Sequence, residues 1–475
     1  MDQNYVYATA AVIGTYLVFG MSRKSFDPFA PVWLFLAGYA QVYVVQAISY
    51  REYALRVRGL ELVTEANFRS FWALVWFLFV YHCGASRTLT RGLPRPPERW
   101  SAPLVSAVAP ILIAWGLISA GFEFNSDPNE ALTAEGALLR QFPIMMLVAG
   151  ILLIVTGRSG PRPRPAWTWV GVGVVTFYAM IWMFKGKRSP PLFGVLTAVC
   201  AFYVSKGKRP SKPVLVVTAL IGAVVVTLAL GWRNNKDYEL SLSGFSQYVA
   251  EFDPSAILVN LNIKTREDEG SSKTNELPNH ETEEYGGFLL MMDTVPDKSD
   301  HDYGSSYLRI VSTYIPRIFW RDKPIYGREE WIRAWIAGST SKRDEDFTGP
   351  AIGLLGATQL NGGATATAIV LAVLALLTRT AYDYFRMYSN IPWVQAWWAL
   401  TYYNAWLMTV NDDPFVWFYY IYGHTTFPPL AFFWICNKLA APTLDTYGLA
   451  GYVGTEPAGV GAVTPGAALR EARHP

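Results

Sequence analysis

The sequence is short of charge. Asp, Glu, Lys and Arg make up only 16% of its 475 residues, whereas 52% are hydrophobic and 15% aromatic. A soluble chain of this length carries about 25% charged residues, so the shortage excludes an ordinary water-soluble globule and predicts a polytopic membrane protein. Cysteine is scarce too. Cys83, Cys200 and Cys436 all fall in apolar runs, which argues against a disulfide framework or a zinc site and leaves them as packing residues. No Gly-rich phosphate loop, Cys-x-x-Cys pair or His-x-x-x-His set occurs, so nucleotide hydrolysis and metal catalysis have no motif to rest on, and no cofactor is called for. The net charge of +3 gives nucleic-acid binding no support. The N-terminus lacks a basic region and a small-residue cleavage site, which reads its first apolar run as a retained span.

What is present is apolar length. A bilayer takes about 20 apolar residues to cross. Runs of suitable character lie at Tyr5 to Met21, Pro28 to Ser49, Phe71 to Ala85, Pro103 to Gly121, Gln141 to Thr156, Trp167 to Phe184, Pro191 to Ser205 and Pro213 to Trp232. Hydrophobicity then stops until Ala364 to Leu377, Ile391 to Met408 and Phe415 to Cys436. The expected fold class is all-α: a polytopic membrane helix bundle of about eleven spans, with a large extracytoplasmic loop region between the eighth and ninth. The chain divides into a bundle at 1–232, an outer loop with the candidate active site at 233–350, a re-entrant segment and last three spans at 351–436, and a disordered cytoplasmic tail at 437–475.

Lys and Arg in the short loops set the orientation. With the N-terminus outside, the inner loops hold Arg23 and Lys24; Arg87, Arg91, Arg95 and Arg99; Arg158, Arg162 and Arg164; and Lys206, Lys208, Arg209 and Lys212. Two outer loops break the pattern. One holds Arg51, Arg56, Arg58 and Arg69 and reads as an interfacial helix; the other holds Lys185, Lys187 and Arg188 at the outer end of the sixth span. Cations on the translocated side need another reason to be there. A phosphate ligand supplies one for Arg188, and snorkelling supplies another.

Within the outer segment, Tyr238 to Asn262 has amphipathic spacing that puts Phe245, Tyr248, Val249 and Phe252 on one side. Arg266 to Tyr285 is polar, acidic and without apolar periodicity, a flexible insert. The apolar, glycine-rich stretch Gly349 to Gly363 reads as a short re-entrant or unwound piece, which is tolerated at membrane depth only where it lines a protein-filled or wet cavity.

The densest chemistry lies at Tyr303 to Arg328, where Arg309, Arg317, Arg321, Lys323 and Arg328 alternate with aromatic residues. Arginine forks match phosphate oxygens two at a time, and lysine adds a point charge, so the cluster fits a diphosphate clamp. It also fits a juxtamembrane belt of basic and aromatic residues. His301 stands just upstream, in DKSDHDYG, and is a candidate general base for an attacking hydroxyl. Asp300 and Asp302 have the spacing of an acidic pair but no α/β domain around them. Asn411, Asp412 and Asp413 between the last two spans read as a solvated turn or as a rim of the same cavity. His82 and His424 lie in apolar runs as hydrogen-bonded histidines or, by the general rule for ionisable groups in membranes, functional ones.

Read as a whole, DTVPDKSDHDYGSSYLRIVSTYIPRIFWRDKP resembles the signature of Wzy-type oligosaccharide repeat-unit polymerases, with Val295 and Pro296; Tyr303, Gly304, Ser306 and Tyr307; Ile315, Pro316 and Arg317; and Trp320, Asp322, Lys323 and Pro324 at the matching steps. The segment Gly356 to Gly363 is similar to a further family element but lacks its glutamate, and GKRS with Arg188 resembles a Gly-x-Arg element. The resemblance implies polymerisation, on the periplasmic face of a bacterial inner membrane, of oligosaccharides carried on undecaprenyl diphosphate. Membrane lipid and a chain-length regulator protein are the further partners it implies, and no nucleotide sugar or metal is needed. It implies diphosphate contacts at Arg188, Arg317, Arg321 and Lys323, with Arg233 and Arg328 beside them, and catalytic roles at His301, Asp302 and Asp322. Tyr303, Tyr307, Tyr314 and Trp320 are candidate glycan or lipid contacts, and Tyr307, Tyr314 and Trp320 fit interfacial anchors equally well. Two other activities compete: an O-antigen ligase using the same donor, and a transporter or flippase of lipid-linked glycans.

Overall fold

The computed structural model describes residues 3–23, 26–125, 142–159, 163–185, 189–234, 242–252, 284–308, 315, 319–320, 322, 328–338, 351–410 and 427–439. Among these the fold is helical, with no β-strand. Six helices are long and apolar enough to cross a membrane: Asn4–Ser22, Val32–Ser49, Ala102–Phe122, Pro165–Phe184, Lys212–Ala229 and Gly353–Met387. The apolar helices Ile144–Arg158 and Ser189–Val204 are shorter. Together they mark a multi-pass membrane protein.

The remaining runs take other forms for local reasons. The apolar run that begins at Phe71 is the second part of a 23-residue helix, Leu60–His82, whose first turns carry Glu61, Glu65 and Arg69. The run Ile391 to Met408 breaks at Tyr402 and Tyr403 into Pro392–Thr401 and Asn404–Val410. Of the last run, the described part is the helix Phe427–Leu439. The 411–426 and 440–475 segments, which include Asn411, Asp412, Asp413, His424 and all of the expected disordered tail but its first three residues, lie outside the described residues, as does most of the acidic insert. Asn437, Lys438 and Leu439 are helical, the last turn of Phe427–Leu439.

Ile144–Arg158 occupies the centre. Every residue from Met145 to Gly157 is buried, as a helix that is apolar all round must be. It meets Pro165–Phe184 backbone to backbone: a Cβ added at Gly171 would lie 2.6 Å from the Gly150 carbonyl oxygen, and one at Gly150 would lie 2.9 Å from the Gly171 carbonyl oxygen. Without water to drive apolar helices together, such small-residue contacts let dispersion and close packing hold them. Elsewhere the aromatic residues interlock, with Phe35 of Val32–Ser49 stacked on Phe77 of Leu60–His82 at a centroid distance of 3.6 Å.

Polar contacts divide between the two ends of the bundle. At one end Asp27 accepts hydrogen bonds from Tyr382 Oη (2.7 Å) and the Phe29 amide (3.0 Å), Ser86 Oγ donates to Asp383 (2.7 Å), and Arg209 donates to the Phe26 carbonyl (2.9 Å). At the other, Arg58 pairs with Asp293 at 2.6 Å, Tyr285 Oη donates to Asn67 at 2.7 Å, and Trp232 Nε1 donates to the Phe184 carbonyl at 2.7 Å. This second end also holds the Leu242–Ala250 helix, part of the expected amphipathic stretch, whose Phe245 and Tyr248 rings lie 5.1 and 5.6 Å from Trp232. Of the four arginines expected on an interfacial helix, Arg51, Arg56 and Arg58 share the helix Arg51–Arg58, whereas Arg69 lies on Leu60–His82.

Candidate active site

Two irregularities in the long helices build this end. The first is a π-helical turn, Gln41–Gln46, inside Val32–Ser49. Such a turn re-aims side chains, and here it presents Tyr43 and Gln46. Tyr43 Oη accepts the Leu355 amide at 2.9 Å, Gln46 Nε2 donates to the buried Glu284 at 2.6 Å, and Gln46 Oε1 accepts the Tyr285 amide at 3.0 Å. These bonds seat the start of Glu284–Thr294 and of Gly353–Met387 in the bundle.

The second is a break in Gly353–Met387, where Gly362 (φ 154°, ψ 27°) and Gly363 (φ 63°, ψ −139°) leave helical geometry. The first piece is fully buried from Gly353 to Asn361. The described part of the expected re-entrant stretch is thus helical from Gly353 onward, with a break at those two glycines. The last carbonyls before a helix end lack intrahelical donors, and a loop from another part of the chain supplies them here. The His301 ring Nδ1 lies 3.0 Å from the Gln359 carbonyl oxygen, and the Asp302 amide donates to the Leu360 carbonyl at 2.8 Å.

That loop is shaped by Asp302. The side chain is 6% exposed; one oxygen accepts the Ser306 amide at 2.7 Å and the other accepts Ser305 Oγ. An aspartate so placed caps the helical turn at 305–308, and Ser306 Oγ ties that turn to Asn361 Oδ1 at 2.9 Å. Tyr303 and Gly304 take left-handed backbone (φ 48° and 87°). As a result Tyr303 projects outward, 80% exposed, with its ring centre 5.6 Å from that of His301.

A carbonyl oxygen only accepts, so His301 Nδ1 carries the hydrogen of that bond, and in the neutral ring Nε2 holds the lone pair. No partner for Nε2 occurs among the described residues. Beside it stands Arg69, 33% exposed, whose Nη1 donates to Gln359 Oε1 at 3.0 Å and whose Nε pairs with Glu65 at 2.7 Å. A Cβ added at Gly363 would lie 3.6 Å from Gln359 Oε1 and 3.7 Å from His301 Cε1, so the missing side chain keeps space between the two. Arg58 and Lys298 lie at the same end, both bonded to Asp293, at 2.6 and 2.7 Å.

The structure therefore brings together His301, Asp302 and Tyr303, with Tyr307 partly buried on the same turn. Trp320 is half-buried and Asp322 exposed. Arg233 and Arg328 sit on the described helices Lys212–Asn234 and Arg328–Gly338, with their side chains outside the description. Arg188, Tyr314, Arg317, Arg321 and Lys323 lie outside the described residues. Arg69, Gln359 and Asn361 were not foreseen as site residues. A signal for Arg69 existed, because the Arg51 to Arg69 group breaks the positive-inside pattern just as Arg188 does. Gln359 and Asn361 gave a weaker one, as amides in an otherwise apolar, glycine-rich stretch.

The chain matches no family model, no characterised protein sequence and no solved structure.

Proposed function

We propose that this protein is a glycosyltransferase of the Wzy-type polymerase kind, joining oligosaccharide repeat units carried on undecaprenyl diphosphate at the outer face of a bacterial inner membrane. The observation that carries this reading is His301, held through Nδ1 by the Gln359 carbonyl and with no partner for Nε2 among the described residues. A histidine held in this way can take the proton of a sugar hydroxyl, which must be lost as the hydroxyl attacks. In the reaction the acceptor oxygen bonds to the anomeric carbon of the donor glycan. Its proton passes to Nε2, and the carbon–oxygen bond to the diphosphate breaks, with the electron pair leaving on undecaprenyl diphosphate. Cations fixed at the leaving group stabilise that charge without reorganising solvent. Arg69 supplies one, and the basic residues from Arg309 to Arg328 stand close in sequence to His301. Tyr303 offers an exposed ring on which a sugar can stack. The multi-pass helical architecture gives a lipid-linked substrate a route to these groups.

The test is reconstitution of the purified full chain in liposomes with a lipid-diphosphate-linked repeat unit, without nucleotide sugar or metal. A ladder of lengthened glycans is expected, and His301→Ala is expected to slow it by about 10²–10⁴-fold at undiminished protein level. Transfer to lipid A core without lengthening would assign a ligase. Movement of intact substrate across the bilayer without a new glycosidic bond would assign a flippase.

A further inference from the structure

Gln359 uses every polar group it has, and each contact goes to a different segment. Its Oε1 accepts Arg69 Nη1 of Leu60–His82 at 3.0 Å, its Nε2 donates to the Val295 carbonyl at 2.7 Å, and its own carbonyl meets His301 Nδ1 at 3.0 Å. It is 5% exposed. At that depth leucine or methionine would fill the same volume without desolvating an amide, so the amide is explained by what it holds. We infer that Gln359 is a positioning residue that sets Arg69 and His301 in register, and that Arg69 so held is a contact for the phosphate of a membrane-borne lipid. This inference rests on the glycosyl-transfer reading for the identity of that lipid.

Three features point to an anion at Arg69. Its guanidinium has N–H donors beyond the two that are occupied, and no partner for its Nη2 occurs among the described residues. Gln359 is neutral, so it orients the guanidinium without cancelling its charge. The carboxylate that pairs with Arg69, Glu65, lies one turn away on the same helix and is 46% exposed. An exposed pair of that kind is weak, and a phosphate that offers two oxygens in a plane displaces it.

The test measures binding first and transfer second, on the full chain in detergent micelles. Undecaprenyl diphosphate, phosphatidylglycerol and inorganic pyrophosphate are the probes, followed by native mass spectrometry. Arg69→Gln is expected to weaken undecaprenyl diphosphate binding at least tenfold, and Arg69→Lys to weaken it less, because one point charge replaces a fork. Gln359→Glu, which keeps the shape but neutralises Arg69, is expected to raise KM for the lipid-linked repeat unit at least tenfold, and to lower kcat as well because Arg69 also meets the charge of the leaving group. Gln359→Leu, which releases Arg69, is expected to raise KM as well. A purely structural Gln359 would instead lower the amount of folded protein and leave KM alone, and that result overturns the inference. So does unchanged affinity in folded Arg69→Gln, or in Arg69→Lys if the Gln variant does not fold. Equal, Arg69-dependent binding of phosphatidylglycerol would assign the contact to ordinary headgroups and overturn the substrate role. Arg69-dependent binding of undecaprenyl diphosphate by a wild-type chain that makes no polymer would keep the phosphate contact and discard the transfer reading.

Discussion

His301 owes its orientation to a helix that stops. Gly363 sits at φ 63° and ψ −139°, a region that L side chains avoid at a cost of about 1–3 kcal/mol. Gly363→Ala would drive the chain back toward helix, return the last carbonyls of the first piece to intrahelical donors and withdraw the acceptor from His301 Nδ1. Glycan transfer is expected to fall at least tenfold while the protein remains in the membrane, as read by polymer ladders against immunoblot level. Asp302 belongs to the same arrangement. Its two carboxylate oxygens are taken up by Ser305 and Ser306, so it shapes the loop that carries His301. The sequence placed His301, Asp302 and Tyr303 in one stretch, and that much of the site was legible. The role of Gln359 was not, because a main-chain carbonyl and a side-chain amide acting on partners 58 and 290 positions away leave no local pattern.

Among the helices, the tightest junction is between Ile144–Arg158 and Pro165–Phe184. Gly171→Leu would force a side chain into the Gly150 carbonyl and the Ile154 amide, 2.6 and 2.9 Å from the new Cβ. A loss of about 1–3 kcal/mol is expected, read as a lower midpoint in unfolding of the purified protein. Gly173→Leu, which meets nothing within 4 Å, is expected to change stability by less than about 0.5 kcal/mol. Apolar length identified these helices in the sequence, since a segment surrounded by helices or lipid has no polar face to show. It could not foretell the π-helical turn at Gln41–Gln46 or the break at Tyr402 and Tyr403. Those departures are set by what packs against them. Leu60–His82 misled in the other direction, because its charged first turns, in which Arg69 bonds to Gln359 of Gly353–Met387, masked a continuous helix.

For the molecule as a whole, the sorting of polar contacts into two ends gives the positive-inside orientation a concrete form. Cys83 lies exposed at the end with Ser86 and Asp383, and Tyr303 lies exposed at the end with Arg58 and Asp293. In intact spheroplasts a membrane-impermeant maleimide is expected to label Tyr303→Cys in a Cys83→Ala background, and to label native Cys83 only after permeabilisation. The reverse pattern would invert the orientation and remove the periplasmic site. Depth completes the picture. Arg69 follows Leu60 by nine residues, about 13 Å of helix rise, so the groups around it sit below the tip of that helix. On the glycosyl-transfer reading proposed above, the substrate is anchored in the bilayer and would arrive there by lateral diffusion. Its encounter rate then follows its mole fraction in the membrane, so inert lipid added at constant bulk concentration dilutes the reaction in two dimensions.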